Sequence, residues 1–252
     1  MDYLSDPSLL ITFVLIGFAA QLVDGALGMA FGQISTTLLI TKGVPPQFAS
    51  AGVHTAETFT TAVSAISHVA HRNVDWRLFF RLVIPGIFGG VMGAYVLTSV
   101  DAGVAKPFVL AYLTSLGLYL FYRGVMHRHT ERTPKVVSPL GLVGGFLDAA
   151  GGGGWGAIVT SNLLVQGSNP RKTIGTVNTA EFFLTVTISA TFIAAIGWKA
   201  FTIYTLGLLI GGVCAAPFGA WIAKRVNADT LLTFVGALLT VVSLYGLYRA
   251  LA

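Results

Sequence analysis

The chain has 252 residues, 54% of them hydrophobic and only 10% charged, and its mean hydropathy is +0.78. A soluble domain usually carries about 25% charged residues, so this composition excludes an ordinary soluble fold and places the chain in a bilayer. The formal net charge of +5 does not point to nucleic acid, because the basic residues lie in short loops between apolar segments, as in a membrane protein with a positive-inside bias.

The first residues carry Asp2 and Asp6 but no Lys or Arg. That is the wrong flank for a cleaved signal peptide, so the first apolar segment is expected to stay. Residues 9–41 are apolar but too long for one ordinary span. Asp24, Gly25 and Gly28 interrupt them, predicting two pieces, 9–24 and 26–41, each shorter than the ~20 residues a span needs. Lys42 to Pro46 is a stop and a turn. Spans are predicted over 47–70, over 78–98, where Gly86, Gly89, Gly90 and Gly93 allow close packing, and over 107–123, which aromatic Tyr119, Phe121 and Tyr122 close at an interface. The polar stretch 124–138 is read as a cytoplasmic linker. A broken segment over 139–166, a turn at Gly167 to Pro170 and spans near 173–196, 200–222 and 230–249 follow. Cys214 is unique, forms no intrachain disulfide and reads as a packing residue.

This restart is a duplication. Shifting residues 17–61 by 124 positions onto 141–185, without gaps, makes 16 of 45 residues coincide. Asp24 falls on Asp148, Gly28 on Gly152, Gly32 on Gly156 and Pro46 on Pro170. Val53, Thr55, Ala56 and Glu57 fall on Val177, Thr179, Ala180 and Glu181. The expected units are a first transmembrane repeat, 1–123, and a second, 139–252.

Charge decides between topologies. If each broken segment enters and returns, and the N-terminus lies outside, the cytoplasmic side receives eleven Lys and Arg. Only Lys42, Lys106, Lys199 and Arg249 then lie outside. If each broken segment crosses once, the better orientation divides them nine to six. The positive-inside rule favours the first arrangement. Five pieces per half make the second half run opposite to the first. The expected fold is therefore an all-α integral membrane protein of two inverted-topology repeats, each a broken helical hairpin plus three transmembrane helices, as in secondary transporters.

Four of the ten acids lie inside apolar segments, as the repeat-related pairs Asp24 with Asp148 and Glu57 with Glu181. A carboxylate at mid-bilayer costs ~3 kcal/mol or more unless neutral, paired or wetted. Asp24 and Asp148 could handle protons or cap half-helices freed at the glycine breaks. Glu57 and Glu181 sit mid-helix without a neighbouring breaker, which favours a functional role. His54, Glu57 and Thr61 share one helix face, as do Asn178, Glu181 and Thr185. His54 either relays protons or simply hydrogen-bonds the acid beside it. The proton-coupling candidates are Asp24, His54, Glu57, Asp148 and Glu181.

Gly151 to Gly154 is the most distinctive local run. It either opens a half-helix N-terminus suited to an anion or permits tight helix packing. A nucleotide loop is rejected, since no strand context and no following Lys exist. The substrate-binding candidates are Gly28, Gly32, Thr36, Gly152, Gly153, Gly154, Gly156, Thr160 and Asn178. His68, His71, His127 and His129 read as solvated. No metal-ligand spacing or nucleophile constellation is apparent, and no cofactor is expected.

The paired breaks, Val23 to Gly32 with Val53 to Glu57 and Asp148 to Gly156 with Val177 to Glu181, resemble the sulfite exporter TauE/SafE family of membrane transporters. The resemblance covers nearly the whole chain. It implies a non-enzymatic, multi-pass protein of the bacterial inner membrane that moves sulfite, a sulfonate or a related organic anion in either direction. With the buried acids, this predicts a secondary anion transporter coupled to protons. A cation or metal-ion transporter of the same fold and a non-transporting assembly factor are the alternatives. The expected partners are a small anionic solute and the lipid bilayer, without nucleic acid. The glycine stripes Gly86 to Gly93 and Gly207 to Gly212 pack within the monomer or between copies, and a homodimer is the expected outcome.

Overall fold

The computed structural model describes residues 7–27, 29–126, 133–200, 203–223 and 228–251. His127 and His129 and the middle of the linker lie outside the described residues, as does Gly28. Among those described, ten α-helices occur and no strand. The first half contains α1 (Pro7–Leu27), α2 (Phe31–Thr41), α3 (Pro46–Ala70), α4 (Trp76–Ser99) and α5 (Ala102–Val125). The second contains α6 (Ser138–Gly151), a π-helical turn (Gly156–Thr160) running into α7 (Ser161–Val165), α8 (Pro170–Ile196), a 3₁₀ turn (Gly197–Ala200), α9 (Ile203–Ala223) and α10 (Ala228–Leu251).

Local chemistry sets these boundaries. Asp75 caps α4 by accepting from Arg77 N and Leu78 N, and Asp101 and Asn169 cap α5 and α8. Pro46 and Pro170 sit in the first turns of α3 and α8, where a missing N–H costs nothing. Gly43 and Gly167, one repeat apart, both take positive φ (96° and 94°) just before those prolines.

The first break lies later than its sequence predicts. Helix α1 runs through Asp24 and Gly25 to Leu27, so Asp24 belongs to its last turn. At 21 residues it is about 31 Å long, longer than the piece expected over 9–24. Helix α2, at 11 residues, is about 16 Å long and is the truly short piece. In the second half α6 ends at Gly151, and Gly152, Gly153 and Gly154 form the break with φ of 73°, 132° and 149°. Only glycine holds such a succession without strain. Pro107, expected to open a span, lies inside α5, which begins at Ala102.

Helix packing exchanges the halves. Helix α1 packs chiefly on α9 and α6 chiefly on α4, while α3 packs on α8 and α5 on α10. Glycines make these approaches possible. A Cβ on Gly17 would stand 2.7 Å from Leu208 Cα, and one on its repeat partner Gly141 would stand 2.7 Å from Leu82 O. Gly89 and Gly93 face the α6 backbone at Leu142 and Phe146, and Gly207 and Gly211 face α1 at Phe13 and Val14. Both glycine stripes are thus consumed within one protomer.

The protein is polar inside and apolar outside. His54, Glu57, Asp148, Glu181 and many Ser and Thr are buried, while Phe88, Tyr95 and Phe108 are exposed. A surface of that kind belongs against lipid tails. Three described helices, Trp76–Ser99, Ala102–Val125 and Lys172–Ile196, are long and apolar enough to cross a membrane, and shorter apolar helices accompany them. Cys214 is exposed on α9, which corrects its reading as a packing residue. A helix with apolar residues all round gives no periodic signal for which face is covered.

The loops gather basic residues at one end of the bundle. Lys172 Nζ donates to Arg72 O at 2.8 Å, Asp75 N donates to Thr176 Oγ1 at 2.8 Å, and Arg81 Nη2 reaches Lys135 O at 3.4 Å. Gln166 bonds the backbone of Lys135 and Val136, tying the end of α7 to the start of α6.

Candidate functional site

The two breaks meet inside the bundle. A Cβ on Gly32 would lie 2.8 Å from Gly153 Cα, and one on Gly153 would lie 2.7 Å from Gln33 N. Backbone from the two halves therefore touches without intervening side chains. Thr36 Oγ1 donates to Gly152 O in a short hydrogen bond, and Tyr112 OH of α5 donates to Gly153 O at 3.2 Å. These bonds answer carbonyls that the interrupted helix leaves open.

Each break is spanned by its own aspartate. Asp148 Oδ1 accepts from Trp155 N at 2.8 Å, and Asp24 Oδ1 accepts from Phe31 N at 3.4 Å. The two bonds are repeat equivalents, seven residues apart in each half. Of the two readings open from sequence, helix capping is the one this geometry provides directly. The backbone N–H groups there are largely engaged: Gly152 N and Gly153 N both reach Asp148 O.

His54 pairs with the acid of the opposite half rather than with the one on its own helix. Its Nδ1 is 2.8 Å from Ser50 O, an acceptor only, so Nδ1 carries a hydrogen. Its Nε2 faces Asp148 Oδ2 at 3.0 Å, and that bond needs one more proton, on the imidazole or on the carboxyl. Ser50 Oγ also donates to Ala149 O at 2.8 Å, so α3 grips the second break at two points. The equivalent of His54, Asn178, does something else: its Nδ2 donates to Ser64 Oγ at 3.2 Å and its Oδ1 is buried without a partner. The duplicated scaffold thus carries unlike chemistry in its two halves.

Glu57 and Glu181 are 6% and 9% exposed, so neither meets lipid nor bulk water. Glu57 Oε1 stands 3.0 Å from where a Gly32 Cβ would be, while Oε2 has no hydrogen-bond partner. Thr61 Oγ1 and Thr185 Oγ1 approach to 3.5 Å, and they are separated by the repeat offset of 124 residues. They mark where α3 and α8 cross. Thr160 is fully buried with an unpartnered hydroxyl, and Gly156 opens the π-helical turn. His71 is exposed and His68 half-buried at the end of α3, away from this cluster. Among the described residues no group of three His, Cys, Asp or Glu is arranged to hold a metal ion.

Sequence reasoning missed Tyr112, Ser50 and Trp155. Tyr112 is a tyrosine in the middle of a span rather than at its end, the one visible signal. Ser50 lies one turn before His54. Trp155 is fully buried and donates Nε1 to Val177 O at 3.2 Å, fixing the second half-helix to α8.

A bundle with a lipid-facing exterior, two interrupted helices in contact and ionisable groups around them is a multi-pass membrane protein of the transporter class. Residues 13–246 match the family model described as Sulfite exporter TauE/SafE, and the chain belongs to that family of membrane transporters. It is 40% identical over 243 residues to the "Probable membrane transporter protein YtnM" of Bacillus subtilis (strain 168), covering 93% of this chain and 81% of that protein. It is 23% identical over 111 residues to the "Sulfite exporter TauE/SafE family protein 3" of Arabidopsis thaliana, covering 44% of this chain and 23% of that one. No solved structure matches it. The protein is a multi-pass cell-membrane transporter rather than an enzyme.

Proposed function

We propose that this transporter is a secondary carrier of a small anion, sulfite, a sulfonate or a related organic oxyanion, coupled to protons. The observation that carries the reading is the contact between Gly32 and Gly153, backbone to backbone, with Glu57, Glu181 and the His54–Asp148 pair buried around it. Small hydroxyls and backbone would hold the anion: Thr160, whose buried hydroxyl has no partner, would donate directly, and Thr36, Asn178 and the N–H groups of the breaks would donate on releasing their present partners. Charged Glu57 and Glu181 would repel it, so anion entry would require their neutralisation. The sulfite exporter family and the name of the plant relative support the substrate class.

The reading includes an inverted repeat, residues 1–123 against 139–252, joined by a cytoplasmic linker. The reciprocal packing of α1 on α9 and α4 on α6, and the basic loops gathered at one end, support it. Asp24 and Asp148 then serve as both caps and proton partners. A homodimer remains part of the reading, but with both glycine stripes used internally it must assemble on other faces.

Flux of radiolabelled sulfite and methanesulfonate into proteoliposomes, with and without an imposed pH gradient, tests this. Gradient-driven anion movement with accompanying proton movement is expected. Metal-ion flux without anion flux would replace it with a cation carrier. Absence of any flux from a well-folded preparation would favour an assembly role.

A further inference from the structure

We propose that a cleft between α3, α4 and α8 seats one anionic phospholipid, with an acyl chain inside it and the headgroup on Arg72 and Arg77. The proposal rests on the membrane placement of the fold and stands whatever solute is transported.

The cleft has a volume of about 820 Å³ and is walled by residues 62–70 of α3, 76–87 of α4 and 179–183 of α8. Ile66, Phe80 and Ile84 are exposed along it, so it opens on the outer surface of the bundle. Apart from the Trp76 indole, the one polar side chain lining it is Thr179, whose buried hydroxyl donates to Gly175 O at 2.7 Å. An oxyanion would gain no hydrogen bond in such a place, whereas a hydrocarbon chain needs none. Aromatic contacts hold the walls apart. Phe79 meets Trp76 and Phe183 edge to face, with ring centroids 5.4 Å and 5.6 Å away, tying α4 to α8.

Length selects the occupant. Residues 76–87 advance about 16 Å along α4, roughly half of a ~30 Å hydrocarbon core, which is one leaflet. A transmembrane helix from a second copy would need a groove about twice as long. A lipid tail belongs to one leaflet and fits this depth.

Charge selects the headgroup. The cleft ends at the loop between α3 and α4, with Trp76 exposed at its mouth, as aromatic residues are at a membrane interface. Arg72 in that loop and Arg77 in the first turn of α4 are exposed, and among the described residues neither guanidinium has an ion pair or hydrogen bond. Arg77 shares an edge of α4 with the lining residues Phe80 and Ile84. Lys172 brings a third positive charge to the loop, where it holds Arg72 O. The opposing carboxylate, Asp75, is already engaged by Arg77 N and Leu78 N. Basic groups beside a cleft between transmembrane helices attract anionic headgroups.

The test is native mass spectrometry of the purified full chain, titrated with dioleoyl phosphatidylglycerol and separately with dioleoyl phosphatidylcholine. One phosphatidylglycerol per chain is expected to bind about tenfold more tightly than the zwitterionic lipid, by a margin that shrinks at high salt. The double variant Arg72→Gln with Arg77→Gln should erase that margin without weakening phosphatidylcholine, since the backbone contacts of the loop stay in place. Val69→Trp adds bulk at an exposed lining position and should lose bound lipid of both kinds. Equal affinity of the wild type for the two lipids, or a preference that survives the arginine variant, overturns the headgroup assignment. Undiminished lipid binding by Val69→Trp and by Ala62→Phe overturns the cleft. A lipid-free dimer that Val69→Trp converts to a monomer overturns the lipid and gives the cleft to a second copy.

Discussion

His54 of the first half and Asp148 of the second are joined at 3.0 Å through Nε2 and Oδ2, with the other imidazole nitrogen committed to Ser50 O. The pair lies in the core. Holding it requires a proton that no backbone group supplies. It also fixes α3 against the second break, so the two halves are locked together where the helices are interrupted.

Removing one member of such a buried pair strands the other. Asp148→Ala should destabilise the protein by about 3–5 kcal/mol. Asp148→Asn, which keeps an acceptor for Trp155 N, should cost less. The double variant His54→Asn with Asp148→Asn should recover part of the loss, since the second half already tolerates Asn178. Thermal unfolding in detergent, arranged as a double-mutant cycle, measures this; additive losses would contradict a direct pair.

The aspartate caps should differ in strength. Asp148 holds Trp155 N at 2.8 Å, whereas Asp24 holds Phe31 N at 3.4 Å. Asp24→Ala is expected to cost about 0.5–2 kcal/mol, as ordinary N-cap losses do. Asp148→Ala should exceed it clearly in the same unfolding measurement.

Contact between the breaks forbids a side chain. Gly153→Ala combines φ of 132° with a Cβ that would press on Gln33 N at 2.7 Å, so a loss of about 2 kcal/mol or more and of transport is expected. Gly43→Ala has φ of 96° but nothing within 4 Å, and should lose only about 1 kcal/mol with flux retained. Comparing yield, melting temperature and flux separates crowding at the breaks from backbone strain alone.

Trp155→Ala should cost about 3–5 kcal/mol, because the ring is fully buried beneath Gly86 and Gly144. Trp155→Phe should cost less, leaving Val177 O without its indole donor. Unfolding measurements read both.

Sidedness is checked by labelling. With Cys214→Ala as background, single cysteines replacing Arg72 or Lys172 should react with a membrane-impermeant maleimide only from the cytoplasmic side, and those replacing Lys42 or Lys199 only from outside. Labelling of Lys172→Cys from outside and Lys199→Cys from the cytoplasmic side would rule out the inverted repeat.

Much of this was already present in the linear chain. Hydropathy fixed membrane residence, because exposing apolar surface to water or charge to lipid is costly wherever the residue sits. The 124-residue offset exposed the duplication, and the four acids inside apolar runs announced themselves by that same cost. Turn signals at Gly43, Pro46, Gly167 and Pro170 marked helix boundaries because their backbone preferences are local.

Partner choice was decided only by the tertiary structure. Helical spacing placed His54 beside Glu57, yet its ring reaches Asp148, 94 residues away. Asp24 and Asp148 could have served protons alone, but the path of the chain after each break brings Phe31 N and Trp155 N back to them. Cys214 could have faced in or out. A buried polar side chain in a membrane helix will take any partner within reach, and what lies within reach depends on how closely the helices approach. Here glycine contacts such as Gly32 with Gly153 set that approach, and they are made between segments more than a hundred residues apart.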